Sequence, residues 1–221
     1  MDGGTLSVAV LISGTGSNLK AIIDAQKSGR LNVDIAQVIS NKADAGGLVF
    51  AREAGIPCSV IPSAGAPSRE AHDAAISHCL DETDPDLVVL AGYMRILGGE
   101  MVARFRGKII NLHPSLLPKY PGLDTYRKAL DAGDAEHGSS MHFVTEGLDD
   151  GPLISQAKIP VLPGDDPESL ARRLGPVEHR LVVATVELFT RRKVEMSPDG
   201  VWVDGELSAG PMMLSKDDQL V

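Results

Sequence analysis

Ile109-Ile110-Asn111-Leu112-His113-Pro114-Ser115-Leu116-Leu117-Pro118-Lys119-Tyr120-Pro121-Gly122 carries an apolar run into two polar side chains and then into a proline-rich loop. Residues two apart on a β-strand share a face, so Asn111 and His113 aim at one spot. Pro114 offers no N–H to a ladder and ends the strand. Convergent polar groups at the carboxyl end of a strand are where open α/β sheets hold their ligands.

Outward from that stretch, apolar runs of strand length alternate with segments of helical period, the βαβ signature of a mostly parallel central sheet flanked by helices. Residues 6–13 read as a strand and 17–26 as its helix. Val33–Ser40 is the next strand, and the turn 41–46 leads into a helix through Glu53. Residues 59–61 are strand-like, 68–80 helical, 86–91 a buried strand, and 108–113 the strand quoted above. Beyond Pro114 the pattern changes. Residues 137–145 and 153–161 are extended with no helix-length insert between them, hence an antiparallel C-terminal pair. The acidic start Asp165-Asp166-Pro167-Glu168, with a proline suited to a first turn, opens a long amphipathic helix to about Phe189. The Gly175-Pro176 pair inside it predicts a kink or break. The last thirty residues read as turn-rich, with a frayed end over 215–221. The expected fold class is α/β, in one domain over 1–221 with its core at about 6–190.

Composition narrows the function classes. A chain of 221 residues with 43% hydrophobic content supports a well-buried core, and 4% aromatics leave that core to Val, Ile, Leu and Ala. The formal charge of −9 argues against a nucleic-acid groove or an anionic membrane surface. Cys58 and Cys79 lack metal-ligand spacing and are too few for a disulfide framework. Met1-Asp2-Gly3-Gly4 carries no basic region of a leader, and the run 8–12 is too short to span a bilayer, so a cytoplasmic protein is expected.

Gly14-Thr15-Gly16-Ser17-Asn18 lies between the first strand and its helix. Glycines there expose N–H groups at a helix N-terminus, where the dipole favours an anion, and Ser17 and Asn18 add donors. The motif is neither a Walker loop nor the full dinucleotide fingerprint, and an ordinary βα turn capped by Ser17 remains the alternative. Asn111 beside His113 suits stabilisation of an oxyanion in acyl transfer, although both could instead be structural hydrogen-bond donors. Asp149 stands in Gly147-Leu148-Asp149-Asp150-Gly151-Pro152, which is also plain turn chemistry; near His113 its charge would favour the protonated imidazole. Arg69, at a helix start, and Met94-Arg95-Ile96-Leu97, after the strand ending at Ala91, read by default as solvated and core residues. Glu178 lies on the long helix, where charged groups usually face water. His72, His78, His137 and His142 show no metal-site pairing, and no metal is expected.

Taken together, Val10-Leu-Ile-Ser-Gly-Thr-Gly-Ser-Asn18, Ile39-Ser-Asn-Lys-Ala-Asp44, Ala91-Gly-Tyr-Met-Arg-Ile-Leu97, the segment Ile110 to Gly122 and His137 to Pro152 resemble the phosphoribosylglycinamide formyltransferase family. The resemblance runs from about Leu6 to Phe189. It implies a Rossmann-like formyltransferase fold and formyl transfer from 10-formyltetrahydrofolate, a consumed co-substrate, to the amine of glycinamide ribonucleotide in purine biosynthesis. It implies Asn111, His113 and Asp149 as the catalytic trio, with Asn111 and protonated His113 on the oxyanion and Asp149 keeping the imidazole charged and oriented. Gly16, Ser17, Asn18 and Glu178 would bind the ribonucleotide. Arg69, Met94, Arg95, Ile96, Leu97, Asn111, Thr145, Glu146, Gly147, Leu148 and Asp149 would bind the folate, and Ser140 would help position a water. No tightly bound cofactor is expected, and the partners would be small molecules, with no nucleic acid or membrane, in a monomer or homodimer. Asp124 and Tyr126 stand where some relatives carry histidine. Methionyl-tRNA formyltransferase would need a basic C-terminal domain, and a formyltetrahydrofolate hydrolase an N-terminal regulatory one. A non-catalytic folate- or nucleotide-binding module is the rival of another class, and a dehydrogenase lacks its third glycine.

Overall fold

A computed structural model describes residues 4–221, so the reading of the first three residues as no part of a leader lies outside the described residues. The elements of the first half are β1 (Leu6–Ile12), α1 (Ser17–Lys27), β2 (Val33–Ser40), α2 (Gly47–Glu53), β3 (Cys58–Val60), α3 (Arg69–Thr83), β4 (Leu87–Leu90) and α4 (Gly99–Arg104), followed by β5 (Ile109–His113). The second half holds α5 (Thr125–Asp131), β6 (Glu136–Phe143), β7 (Leu153–Pro160), α6 (Pro167–Arg191), β8 (Val194–Ser197), β9 (Gly200–Val203), β10 (Glu206–Leu207) and β11 (Met212–Met213). The chain packs as two compact units, Met1–Ile110 and Asn111–Val221, and the division falls within β5.

In the first unit β1 is flanked by β2 and β4, and β3 lies beyond β2, all in parallel register. Strands covered on both faces read as unbroken apolar runs. Val8 to Ile12 of β1 accordingly have no exposed surface, and each Val, Leu and Ile side chain among them contributes about 1.5–3 kcal/mol of burial. The chain steps from β1 outward to β2 and β3, then returns to the other side of β1 as β4. That reversal is a topological switch point, outside which α/β sheets bind ligands. Helix α1 buries Leu19, Ile22, Ile23 and Ala25, the spacing of one helical face. Helix α3 starts at Ser68, whose side chain accepts from the Ala71 N–H at 3.1 Å.

In the second unit β6 and β7 pair antiparallel, as their spacing predicts. Asp166 and Ser169 form a reciprocal capping box at the start of α6, with Pro167 in the first turn. The expected break at Gly175-Pro176 is absent, since α6 runs unbroken to Arg191. Pro176 sits on the exposed side of the helix. The tail is more ordered than its turn-rich composition suggests. Strands β8, β9 and β10 make a small antiparallel sheet, and β11 adds in parallel to β7. The chain end is not frayed: the Met213 N–H donates to the Val221 carbonyl at 2.7 Å and the Val221 N–H to Met213 at 3.1 Å. Arg180 of α6 adds an ion pair to Asp218 at 2.9 Å. Among the described residues no helix is long and apolar enough to cross a membrane.

Candidate active site

Strand β5 delivers Asn111 and His113 to one side, with Leu112 buried on the other. In the second unit these two meet Asp149, the residue that sequence spacing alone could not connect to them. The His113 Nδ1 lies 3.3 Å from Asp149 Oδ2, and the Asn111 Nδ2 donates to Asp149 Oδ1 at 3.5 Å. The Gly122 N–H donates to Asp149 Oδ2 at 2.8 Å, so the carboxylate is held from three directions. His113 Nε2 faces the Tyr120 carbonyl at 2.9 Å. A ring with an acceptor opposite each nitrogen is the hydrogen-bond complement of an imidazolium, in which both nitrogens donate.

The backbone is bent to achieve this. Asp149 has φ +51° and Tyr120 φ +58°, both in the left-handed region. Asp tolerates it, but a bulky Tyr there is a true outlier. Tyr120 is held by its hydroxyl, which donates to Asp134 Oδ2 at 2.8 Å, and its turned carbonyl is the one that meets His113. In the loop leading to Asp149, Thr145 Oγ1 donates to Asp150 Oδ1, and a Cβ on Gly147 would overlap the Asp150 carboxylate at 1.9 Å.

His142 belongs to this cluster and was not singled out from the sequence. Its Nδ1 lies 2.9 Å from the Phe143 carbonyl and must carry the proton, leaving Nε2 to accept from the Asn111 amide at 3.1 Å. Burial pushes the His142 ring below its ordinary pKa, against the Phe143 carbonyl and the Asp149 charge, which favour the proton. The ring that aims Asn111 is therefore held neutral. A register shift in the β6–β7 pairing between Met141 and His142 re-aims this side chain, and strict alternation carries no signal of it.

The Ser140 hydroxyl is taken up by protein groups. Its hydroxyl donates to the Ser115 carbonyl at 2.7 Å and accepts from the Leu117 N–H at 3.0 Å and Gln156 Nε2 at 2.8 Å. That fills one donor and two lone pairs, so Ser140 secures the 115–117 backbone instead. Glu178 is not a solvated helix charge either. Ser139 Oγ donates to its Oε1 at 2.7 Å, and burial raises its pKa. Tyr126, beside Glu178, packs edge-on against His137 with ring centroids 5.2 Å apart, and burial raises the phenol's pKa.

The first unit holds the other candidates. Gly16, at φ +75°, is the residue preceding α1, and Ser17 is its first helical position, which removes the reading of Ser17 as the cap. Ser17 is exposed and Asn18 half-buried, its Oδ1 buried without a partner among the described residues. Arg69 opens α3, half-exposed, 3.8 Å from Glu70. Met94 and Ile96 are 69% and 56% exposed, too open for core, whereas Leu97 is buried. Among the described residues no group of three or more His, Cys, Asp or Glu could hold a metal.

A family model described as formyl transferase matches residues 6–186. The phosphoribosylglycinamide formyltransferase of Escherichia coli (strain K12) is 47% identical over 201 residues, 91% of this chain and 95% of that protein. The solved phosphoribosylglycinamide formyltransferase of Coxiella burnetii superposes with a TM-score of 0.86 at 46% identity, covering 91% of this chain and 94% of that one. The glycinamide ribonucleotide transformylase 1 of Symbiobacterium toebii gives 0.87 at 44% identity over 94% of this chain and 96% of its own. With the strand-end Asn–His pair, the loop carboxylate and the glycine turn all carried on a matching fold, the chain belongs to the formyl transferase family.

Proposed function

We propose that this protein transfers the formyl group of 10-formyltetrahydrofolate to the amine of N1-(5-phospho-D-ribosyl)glycinamide, in the synthesis of purines. The observation that carries the reading is the junction of Asn111, His113 and Asp149 in one hydrogen-bonded cluster. The substrate amine attacks the formyl carbon, its lone pair forming the new C–N bond while the carbonyl π pair moves to oxygen. Collapse of that tetrahedral adduct restores the carbonyl and breaks the bond to N10, which gains a proton as the attacking amine loses one.

The charge to be stabilised is the oxyanion. Asn111 and His113 supply N–H donors from one strand face, and each contact to Asp149, at 3.5 and 3.3 Å, is long enough to share its hydrogen with a second acceptor. Removing a donor of this type typically costs about 10²–10³-fold in turnover. Asp149 offsets the positive charge of His113 and fixes the ring. Gly16, Ser17 and Asn18 present helix N-terminal donors to the ribonucleotide phosphate, with Glu178 at the same substrate. Met94 to Leu97, Arg69 and the 145–149 loop take the folate.

The test is tetrahydrofolate release from 10-formyltetrahydrofolate, with and without the ribonucleotide, for wild type and His113→Ala. Release that requires the ribonucleotide and is lost in the variant is expected. Release without the acceptor identifies a hydrolase, and no release from wild type a binding module.

A further inference from the structure

Two loops of the first unit leave the switch point beside each other: residues 14–18 after β1 and residues 91–98 after β4. The second is unusual. It exposes Met94 and Ile96, yet its backbone is pinned at two places four residues apart. The Met94 N–H donates to Ser13 Oγ at 2.8 Å, and the Gly98 N–H to Asp73 Oδ2 at 2.6 Å. Exposed apolar side chains on a backbone fixed from beneath are the mark of a preorganised binding loop rather than of a mobile one.

Ser13 is the more informative pin. It is 3% exposed, and its hydroxyl hydrogen goes to Asn41 Oδ1 at 2.6 Å, which turns a lone pair toward Met94. Its own N–H donates to the Gly92 carbonyl at 3.2 Å. It is also the residue immediately before Gly14, where the phosphate-type turn begins. We propose that Ser13, aimed by Asn41, is a positioning residue that fixes the folate-binding loop at Met94 and ties it to the strand end carrying the ribonucleotide turn. The proposal rests on the functional reading above for the ligand each loop takes. Replacing the hydroxyl strands two partners at once, the Met94 N–H and Asn41 Oδ1. One lost hydrogen bond of this kind corresponds to about a 2–12-fold change in an equilibrium.

The experiment compares wild type, Ser13→Ala, Ser13→Thr, Asn41→Leu and the Ser13→Ala/Asn41→Leu double variant. Equilibrium binding of 10-formyltetrahydrofolate and of glycinamide ribonucleotide is measured separately, with hydrogen exchange at the Met94 amide as a ligand-free readout. Ser13→Ala should weaken the folate about tenfold and speed Met94 exchange, with ribonucleotide affinity within about twofold. Ser13→Thr should restore both, and the double variant should be no worse than Ser13→Ala, because the two residues act as one device. Should Ser13→Ala fail to fold, Asn41→Leu carries the same comparison. Unchanged exchange at Met94, equal weakening of both ligands, or additive losses would overturn the proposal. Wild type that binds no folate overturns the functional reading and this proposal with it, whereas normal wild-type binding with unresponsive variants overturns this proposal alone.

Discussion

Gly16→Ala is the perturbation whose cost follows most directly from the backbone packing of the first unit. A Cβ at Gly16 would lie 2.3 Å from the Gly47 Cα and 3.1 Å from its nitrogen. Carbon atoms pack at about 3.5–4.0 Å, so more than about 1 Å of separation must be found between two backbones with no side chain to yield. The residue also has φ +75°, where an alanine pays about 1–2 kcal/mol. Overpacking typically adds about 1–3 kcal/mol, and the reduced freedom of the unfolded chain returns about 0.4–1 kcal/mol. The net loss is about 2–4 kcal/mol, or on the order of 10 °C in Tm for a chain of this size. Urea and thermal melts would measure it, and the KM for the ribonucleotide should rise because the α1 N–H groups move with the turn. Gly47→Ala alone should cost less, since its Cβ meets the rotatable Ile12 Cδ1 at 2.7 Å and the Gly16 Cα at 2.9 Å. Because parting the two backbones relieves both contacts, the double variant should lose less than the two singles together. Gly16→Ala melting within about 0.5 kcal/mol of wild type, or strict additivity, would refute the backbone contact.

Asp149→Asn keeps the shape and the left-handed tolerance but removes the carboxylate charge 3.3 Å from His113; kcat should fall about a hundredfold, the scale of losing one oxyanion donor, with a native-like melt, and turnover within threefold of wild type, on the order of 0.6 kcal/mol, would remove the charge from the account. Glu178 has its pKa raised by burial, so its contribution to stability is fully present below the unfolded carboxylate value of about 4.3 and is lost as pH rises through the higher folded value. Glu178→Gln should therefore melt above wild type at neutral pH, with the difference vanishing near pH 4, about where the unfolded side chain titrates; a pH-independent difference would count against a desolvated charge. His142 is shifted the other way by burial: its stabilisation is present above about 6.5 and lost as pH falls through the lowered folded value. His142→Phe should lower kcat about tenfold, on the scale of one hydrogen bond, by leaving the Asn111 amide unaimed, and should be less acid-sensitive than wild type; unaltered turnover would show that Asn111 needs no such support.

Periodicity made most of the framework legible. Val33–Ser40 stands where its apolar run predicts, and the capping chemistry before Pro167 opens a helix as read. Short elements escaped: α4 buries only Met101 and Val102, and α5 only Thr125 and Ala129, too few positions for a face to emerge from the sequence. The tail escaped for a different reason. Pairing of Met212 and Met213 with β7, and of Met213 with Val221, joins residues whose local composition signals only turns. Such pairings depend on what the partner strand leaves open, not on propensity.

The candidate site divides along the same line. A strand brings Asn111 and His113 together by its two-residue repeat, at no conformational cost, so that pair was readable from one short segment. Nothing in a repeat brings Asp149, the Tyr120 carbonyl or the Gly122 N–H to the same point. Loops do this, and all three groups come from residues with positive φ: Asp149, Tyr120 and Gly122. Left-handed backbone costs on the order of 1–3 kcal/mol at each non-glycine position and persists only where surrounding bonds over-determine it. Here those bonds are the same ones that set the geometry of the candidate site, since Gly122 holds Asp149 and the Tyr120 carbonyl lies opposite His113. Loosening either loop to relieve the strain would therefore release the donor pair, and that coupling ties the strained backbone to the proposed chemistry rather than to packing alone.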